Sequence, residues 1–297
     1  MIITSFLDYL NLEKKYSKHT IIAYKKDLYS FHKFCNENYQ NQPISNVNYS
    51  QIRSWIVSLV TLGISNRSIN RKVSSLKSFY KFLQKINQIQ INPLLNHQPL
   101  KVAKTIQVPF SEKEILEILK ANNENDFESV RNKLIVELFY ATGIRRSELI
   151  NIKISDIDFN NEIVKILGKR NKERYIPLLK IVQKSIQNYL NYRSEISTKE
   201  SYLFVTKKGK KVYDTLVYRI INNYFSKVST KVKKSPHIIR HTFATHLINE
   251  GADLNAVKEL LGHSSLASTQ IYTHSSLGKL KEIYNQAHPR SQKTNLL

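Results

Sequence analysis

The chain has 297 residues, which exceeds the usual size of one hydrophobic core and favours two domains. Its 46 Lys and Arg residues against 23 Asp and Glu residues give a formal net charge of +23, which indicates a polyanionic partner such as nucleic acid. A single cysteine excludes an internal disulfide, and no apolar run reaches the roughly 20 residues of a membrane helix. We therefore expect a cytoplasmic, nucleic-acid-binding protein with no membrane partner.

The first part of the chain shows apolar residues at helical spacing between polar breaks, which predicts a helical domain over residues 1–92. Ser65 or Asn66 is expected to cap a helix that runs to Leu83 with one apolar stripe. The other faces of this helix are basic. We expect these faces to bind a phosphate backbone through Arg67, Arg71, Lys72 and Lys77. The alternative is a solvated basic face.

Three prolines in a segment without periodicity, Pro93, Pro99 and Pro109, indicate an exposed linker over residues 93–109. A second domain, residues 110–297, is expected to begin with a capping box formed by Ser111 and Glu114. Farther along, alternating apolar residues in DFNNEIVKILGKRNKERYIPL predict a small antiparallel hairpin sheet, and YLFV predicts another short strand. The fold class is therefore mainly α with a small antiparallel sheet.

Several residues of the second domain suit phosphate chemistry. The run SPHIIRHTFATHLINEG predicts a helix from near Pro236 to Gly251, with His237 and Arg240 on one face close to its N-terminus. Both side chains can donate hydrogen bonds to one phosphate there. By itself His-x-x-Arg is a weak signal, but LLGHSSLASTQIYTH follows it and ATGIRRSEL precedes it. The histidines lack carboxylate or thiolate partners at metal-ligand spacing, so no metal site is expected.

Taken in order, six motifs resemble those of the tyrosine recombinase (phage integrase) family, and more narrowly those of the bacterial Xer-type site-specific recombinases. They are YSKHTIIAYKKDL, ATGIRRSEL, GKRNKERYIPL, SPHIIRHTFATHLINEGADL, LLGHSSLASTQIYTH and AHPR, and they extend along nearly the whole chain. The resemblance implies a helical, SAM-like core-binding domain followed by an α+β catalytic domain. It also implies that the two domains wrap double-stranded DNA and that four protomers assemble on two paired sites.

The resemblance further implies that Tyr272 attacks the scissile phosphorus, displaces a 5′-hydroxyl and becomes joined to the 3′-phosphate. The phosphotyrosine ester conserves the energy of the broken bond, so neither ATP nor any other cofactor is needed. Arg145 and Arg240 would stabilise the charge of the transition state. His237 and His263 would bind the phosphate or assist loss of the tyrosine proton.

The motif GKRNKER implies that Lys169 protonates the leaving 5′ oxygen, with Lys172 as the competing candidate. Its four basic residues, Arg174 among them, could alternatively form only an electrostatic handle on a flexible loop. Glu148 is expected to orient the cluster of arginines or histidines. The residues expected to contact the DNA backbone in this domain are Arg146, Arg170 and Lys172.

After Tyr272 comes an amphipathic stretch, with Leu277, Leu280, Ile283 and Tyr284, that is too short to form its own core. We expect it to need a partner surface, which in the family is a neighbouring protomer. The resemblance implies resolution of chromosome dimers at a dif-like site during cell division, alone or with a paralogous recombinase, and with dependence on a septal DNA translocase. The alternatives are a mobile-element integrase or invertase, a type IB topoisomerase and a catalytically silent DNA-binding accessory protein.

Overall fold

The computed structural model of the chain describes residues 2–103, 108–120, 126–168, 172–228, 234–262 and 274–291. It divides the chain into two compact units, residues 1–105 and 106–297, and this division falls inside the linker expected at 93–109. Within the described ranges, no helix is long and apolar enough to cross a membrane.

Four helices build the described part of the first unit, residues 2–103, and side-chain caps start three of them. The helices are α1 (Ile2–Leu12), α2 (Lys18–Asn38), α3 (Tyr49–Thr61) and α4 (Asn66–Lys85). Ser65 caps α4, as the sequence predicted, and Ser17 caps α2 in the same way. The helices bury one aromatic core in which Phe31 packs against Trp55. The N-terminal domain is therefore helical, as expected.

A buried carboxylate joins α2 to α4. Asp27 is 1% exposed and accepts hydrogen bonds from Arg71 at 2.5 and 2.8 Å, from Lys72 at 3.3 Å and from Ser75 at 2.8 Å. Arg71 and Lys72 were expected to contact DNA; their charged groups pair with this carboxylate, while the Arg71 side chain is 52% exposed, so the DNA contact stays a prediction. The ion pair was not predictable from local sequence, because Asp27 lies far from both residues along the chain.

We expect Asp27→Asn to destabilise the first unit by about 2 to 3 kcal/mol. This is less than the ~3–5 kcal/mol lost when a fully buried pair is broken, because the side chain of Arg71 is 52% exposed. Urea unfolding of the full chain, followed through Trp55, measures the change. Asp8→Asn, at an exposed carboxylate of α1, is the control. Equal stability of the two variants would contradict the role given to Asp27.

The segment after α4 folds back onto the first unit. Leu94 is buried in its core, and Asn70 exchanges two hydrogen bonds with the main chain of Leu100, at 2.8 and 2.9 Å. Asn66 donates to the carbonyl of Lys101 at 2.8 Å. The part of the expected linker up to Lys101 therefore belongs to this unit, although its prolines and lack of periodicity indicated an exposed chain.

The second unit combines helices with one small sheet. Its helices are α5 (Glu112–Lys120), α6 (Phe127–Thr142), α7 (Arg146–Leu149), α8 (Lys180–Ser194), α9 (Asp214–Ser226), α10 (Pro236–Asn249), α11 (Leu254–Leu261) and α12 (His274–Ala287). The expected capping box is confirmed: the main-chain N–H of Ser111 donates to Glu114 at 2.7 Å, and that of Glu114 donates to Ser111 at 3.2 Å. Most of the core lies around α6, which is buried on nearly all sides.

The hairpin sheet is also confirmed. Strands β1 (Ile157–Asp158), β2 (Ile163–Leu167) and β3 (Glu173–Pro177) pair antiparallel in the order β1-β2-β3. The strand expected at YLFV is wrong, because the segment forms only isolated bridges at Tyr202 and Val205. Two of its carbonyl groups are bound by a side chain instead of a second strand: Arg193 donates to Leu203 at 3.1 Å and to Tyr202 at 3.0 Å.

Helix α12 packs on its own unit. Leu280, Tyr284 and Ala287 are buried, and the Tyr284 hydroxyl donates to the carbonyl of Ala141 in α6 at 2.6 Å. The partner surface expected for Leu280, Ile283 and Tyr284 is therefore provided here by α6 and α10 of the same unit, while docking onto a neighbouring protomer stays a prediction. The side chain of Leu277 lies outside the described residues.

Candidate active site

Three arginines from different elements meet at the C-terminal end of α11. They donate to consecutive carbonyl groups: Arg174 to Leu260 at 2.9 Å, Arg240 to Leu261 at 2.6 Å, and Arg145 to Gly262 at 3.5 Å. These carbonyls have no partners within the helix and form the negative end of its dipole, so they attract cations. Gly262 ends the helix in the left-handed conformation, at φ 65°.

Arg240 is the most deeply placed arginine of the expected catalytic set. Proline at the first position of α10 starts the helix that carries it, as predicted. The Arg240 side chain also donates to the carbonyl of Gly143 at 2.6 Å, which fixes it between α6 and α11. Burial, with a smaller contribution from the charge of Arg145, lowers the pKa of Arg240 to about 10, while Glu148 acts in the opposite direction. Arg240 therefore remains charged near neutral pH.

Glu148 binds two of the three arginines. Its Oε1 accepts from Arg145 at 2.7 Å and from Arg174 at 3.1 Å, and its Oε2 accepts from Arg174 at 2.8 Å and from the main-chain N–H of Arg145 at 2.8 Å. The carboxylate is 4% exposed. Three guanidinium groups and one carboxylate leave these four residues with an excess of two positive charges, so the site favours an anion.

We expect Glu148→Gln to destabilise the catalytic domain by about 3 to 5 kcal/mol near neutral pH, since it leaves buried guanidinium groups without their counter-charge. Burial by itself raises the pKa of Glu148, but the hydrogen bonds and charge of Arg174, together with the hydrogen bonds of Arg145, lower it below the ordinary value of a glutamate. The stabilisation is therefore present above about pH 4.5 and is lost as the pH falls through the lower pKa of the folded protein.

Urea unfolding between pH 7 and pH 3 tests this expectation. The stability difference between wild type and Glu148→Gln should shrink over the acidic part of the range. Glu173→Gln, at a glutamate whose side chain is 49% exposed, is the control and should change stability by less than ~0.5 kcal/mol at any pH. A Glu148→Gln difference that did not depend on pH would be evidence against ionised Glu148 as the source of the stabilisation.

The remaining expected site residues divide into described and undescribed ones. His237 is exposed on α10, three residues before Arg240, and Lys172 is exposed directly before β3. Arg146 forms an ion pair with Asp214 of α9 at 2.7 Å. In the first unit Arg67 is exposed and Lys77 is partly buried. Lys169, Arg170, His263 and Tyr272 lie outside the described residues.

Arg174 was expected only as part of the alternative in which the basic residues of GKRNKER form an electrostatic handle on a flexible loop. The structure places this residue in β3, opposite buried Ile166, with its side chain only 5% exposed. The signal was present in the sequence, because strand alternation puts Arg174 on the same face as the buried Ile176. The charge of the whole run obscured that alternation.

Gly143 is a second residue whose importance the sequence did not reveal. Its φ is +58°, and a Cβ atom there would lie 2.3 Å from the ring of Phe243. We expect Gly143→Ala to destabilise the catalytic domain by about 2 to 5 kcal/mol, through left-handed strain and overpacking together. Thermal or urea unfolding measures this. Gly251→Ala is the control: φ is +86° there, so the left-handed strain is present, but no atom lies within 4 Å of the added Cβ. If both variants lost the same free energy of unfolding, overpacking against Phe243 would not be the cause.

Comparison with known proteins assigns the family. The model of the phage integrase family matches residues 109–278, and the model of the phage integrase N-terminal SAM-like domain matches residues 3–86. Tyrosine recombinase XerC of Anoxybacillus flavithermus is 40% identical over 292 residues, which cover 96% of this chain and 97% of that protein. Tyrosine recombinase XerC of Staphylococcus aureus (strain MRSA252) is 37% identical, with 98% and 97% covered.

Solved structures agree on the fold. The XerH recombinase bound to its palindromic difH substrate aligns with a TM-score of 0.71 and 24% identity over 89% of this chain and 78% of that one. The Tn1549 transposon integrase bound to transposon right-end DNA aligns with a TM-score of 0.72 and 20% identity over 95% and 98%. With both domain models matched and 40% identity to a curated relative over nearly its full length, this chain belongs to the phage integrase family and is a site-specific tyrosine recombinase.

Proposed function

We propose that this recombinase resolves chromosome dimers in the cytoplasm by exchanging strands between two dif-like sites. The observation that carries the proposal is the arginine cluster at the end of α11, where buried Arg240 and partly exposed Arg145 share an excess of positive charge. A scissile phosphate supplies the anion that such a cluster favours. The identity of 40% to XerC, spread over nearly both whole chains, supports the chromosomal role.

In the proposed reaction, the Tyr272 oxygen attacks the scissile phosphorus while the bond from phosphorus to the 5′ oxygen breaks. Lys169 gives its proton to that leaving oxygen. Arg145 and Arg240 bind the nonbridging oxygens, where negative charge gathers in the transition state. His237 and His263 bind the phosphate or assist removal of the tyrosine proton. Attack by the 5′-hydroxyl of a partner strand on the phosphotyrosine then reverses the step and forms a Holliday junction.

We propose that the remaining basic side chains bind the DNA backbone. Arg67 and Lys77 of α4 and Lys172, directly before β3, have no acidic partner among the described ion pairs, which suits contact with phosphates. Arg146, paired with Asp214, and Arg170 complete the set in the catalytic domain. Arg71 and Lys72 have a weaker case, because Asp27 already binds their charged groups.

The proposed assembly is a tetramer on two paired sites, formed by this chain alone or together with a paralogous recombinase. In it α12 and the tail that follows would dock onto a neighbouring protomer. A septal DNA translocase would supply the signal that activates exchange at division. We propose that the catalytic domain covers residues 110–297, as expected from the sequence.

The test is a plasmid that carries two directly repeated copies of the host's dimer-resolution site. Incubation with the purified protein, with or without its paralogue, should convert the plasmid into two circles, and Tyr272→Phe should give none. Conversion only with the paralogue identifies a heterotetramer. Failure at this site but exchange at the ends of a mobile element would make the protein a mobile-element integrase and contradict the chromosomal proposal.

A further inference from the structure

We propose that Arg174 is a positioning residue for strand cleavage, which holds Arg145 in place for the scissile phosphate through Glu148. The inference rests on the proposed function, since it assigns Arg145 to that phosphate. Arg174 itself would not touch DNA. It would fix the carboxylate that in turn fixes the reactive guanidinium.

The contacts of Arg174 leave its guanidinium turned inward. Its two terminal nitrogens form a fork on Glu148, at 3.1 and 2.8 Å, and its Nε donates to the carbonyl of Leu260 at 2.9 Å. Its side chain is 5% exposed, whereas that of Arg145 is 35% exposed. Arg145 can therefore reach a bound phosphate, while Arg174 supports it from behind.

Glu148 transmits this support because each of its oxygens is shared. Oε1 accepts one hydrogen bond from Arg145 and one from Arg174, and so does Oε2. A forked guanidinium fixes the plane of a carboxylate as well as its position. When that fork is lost, Glu148 can rotate, and the Arg145 side chain bonded to Oε1 moves with it.

The surrounding main chain is built closely around Arg174. A Cβ atom at Gly262 would lie 3.1 to 3.2 Å from the Arg174 side chain, and one at Gly168 would lie 3.5 Å from its Nη1. Gly262 directly precedes His263, and Gly168 directly precedes Lys169. Arg174 is therefore close to both Gly262 and Gly168, the residues that directly precede these proposed catalytic residues. A displacement at this position would lower the cleavage rate.

The experiment compares Arg174→Met with wild type in single-turnover cleavage of a nicked suicide duplex. We expect the cleavage rate to fall about 10- to 100-fold, the usual effect of losing a residue that orients a ligand-binding group, with unchanged affinity for the duplex. Arg131→Met is the matched control, because Arg131 is also buried, pairs with Glu128 at 3.2 Å and donates to a carbonyl, that of Val205. Its rate should match wild type.

A second substrate separates positioning from a merely structural role. In a methylphosphonate duplex one charged nonbridging oxygen is replaced by methyl, so cleavage depends less on guanidinium charge. We expect the deficits of both Arg174→Met and Arg145→Ala to shrink to less than about 3-fold on this substrate, because in the first variant the Arg145 charge is displaced from the phosphate oxygens and in the second it is absent. Loss of folded protein would lower cleavage of both substrates equally.

Three outcomes decide the matter. The positioning role would be overturned if Arg174→Met had equal deficits on both substrates, or if it cleaved the phosphate duplex as fast as wild type. In either case, cleavage by the wild-type protein would still support the proposed function. No cleavage of either substrate by wild type, even with its paralogue added, would overturn both. If Arg174→Met does not fold, Arg174→Lys replaces it, because it keeps the buried charge but lacks the fork; the same substrate-dependent deficit is then expected.

Discussion

Tyr272→Phe is expected to abolish covalent capture of DNA on a nicked suicide duplex, with cleavage reduced by on the order of 10⁴- to 10⁶-fold, as for loss of an enzyme's nucleophile. The change removes only the hydroxyl oxygen that would bond to phosphorus. On the described side of this residue, α12 begins at His274 and is held in the core by Tyr284. Duplex binding should be unchanged, because the arginine cluster and the basic face of α4 are intact.

The assay is a denaturing gel of protein and labelled duplex, run in EDTA so that metal-dependent cleavage does not contribute. Tyr218→Phe, at an exposed tyrosine of α9, is the matched control and should trap DNA like wild type. Trapping by Tyr272→Phe would mean that another residue is the nucleophile. A wild-type protein that binds the duplex but never traps it would instead favour a catalytically silent accessory protein or one activated by a partner.

Arg240→Met should lower the single-turnover cleavage rate by about 10³-fold, because it removes a fixed charge aimed at the phosphate oxygens. Its effect on the free energy of unfolding should be small, because two opposing contributions offset each other. The carbonyl groups of Gly143 and Leu261 lose their bonds to Arg240, which costs about 1 to 3 kcal/mol each. Against this, the variant no longer buries a charge beside Arg145 and Arg174, the same unfavourable effects that lower the pKa of Arg240.

Rapid-quench cleavage and urea unfolding of the same preparations separate the two effects. Arg193→Met serves as control, because Arg193 also binds main-chain carbonyls, those of Glu200, Tyr202 and Leu203, but outside the arginine cluster. It should lose stability without losing rate per folded molecule. If Arg240→Met lost rate only in proportion to its folded fraction, its assignment to the phosphate would be wrong.

Local patterns predicted the elements of this fold well. A cap at Ser65, a capping box at Ser111 and the alternation of β2 and β3 each depend on residues within a few positions of one another. Contacts with residues outside the local pattern could not be predicted. Nothing near Arg71 indicates its ion pair with Asp27, and nothing in YLFV indicates that Arg193 binds the carbonyl groups of Tyr202 and Leu203.

The candidate site divides in the same way. Motif order singled out Arg145, Glu148 and Arg240, and the structure brings these three together. Motif order did not single out Arg174, because within a run of basic residues the sequence does not distinguish a buried arginine from one that binds DNA. Nor did amphipathicity show that α12 covers its own unit, since an apolar stripe specifies burial but not the surface that provides it.

The packing of α12 also bears on the thermodynamics of assembly. Because Leu280 and Tyr284 belong to the core of their own subunit, passing this helix to a neighbour, as proposed, would be a domain swap. The apolar packing that one subunit gave up would be regained in the next, so the exchange itself would contribute little to the affinity between protomers. Its rate would be set by local unfolding of α12. The tail would therefore govern how fast a tetramer forms, while DNA and the other protein surfaces would govern how tightly it holds.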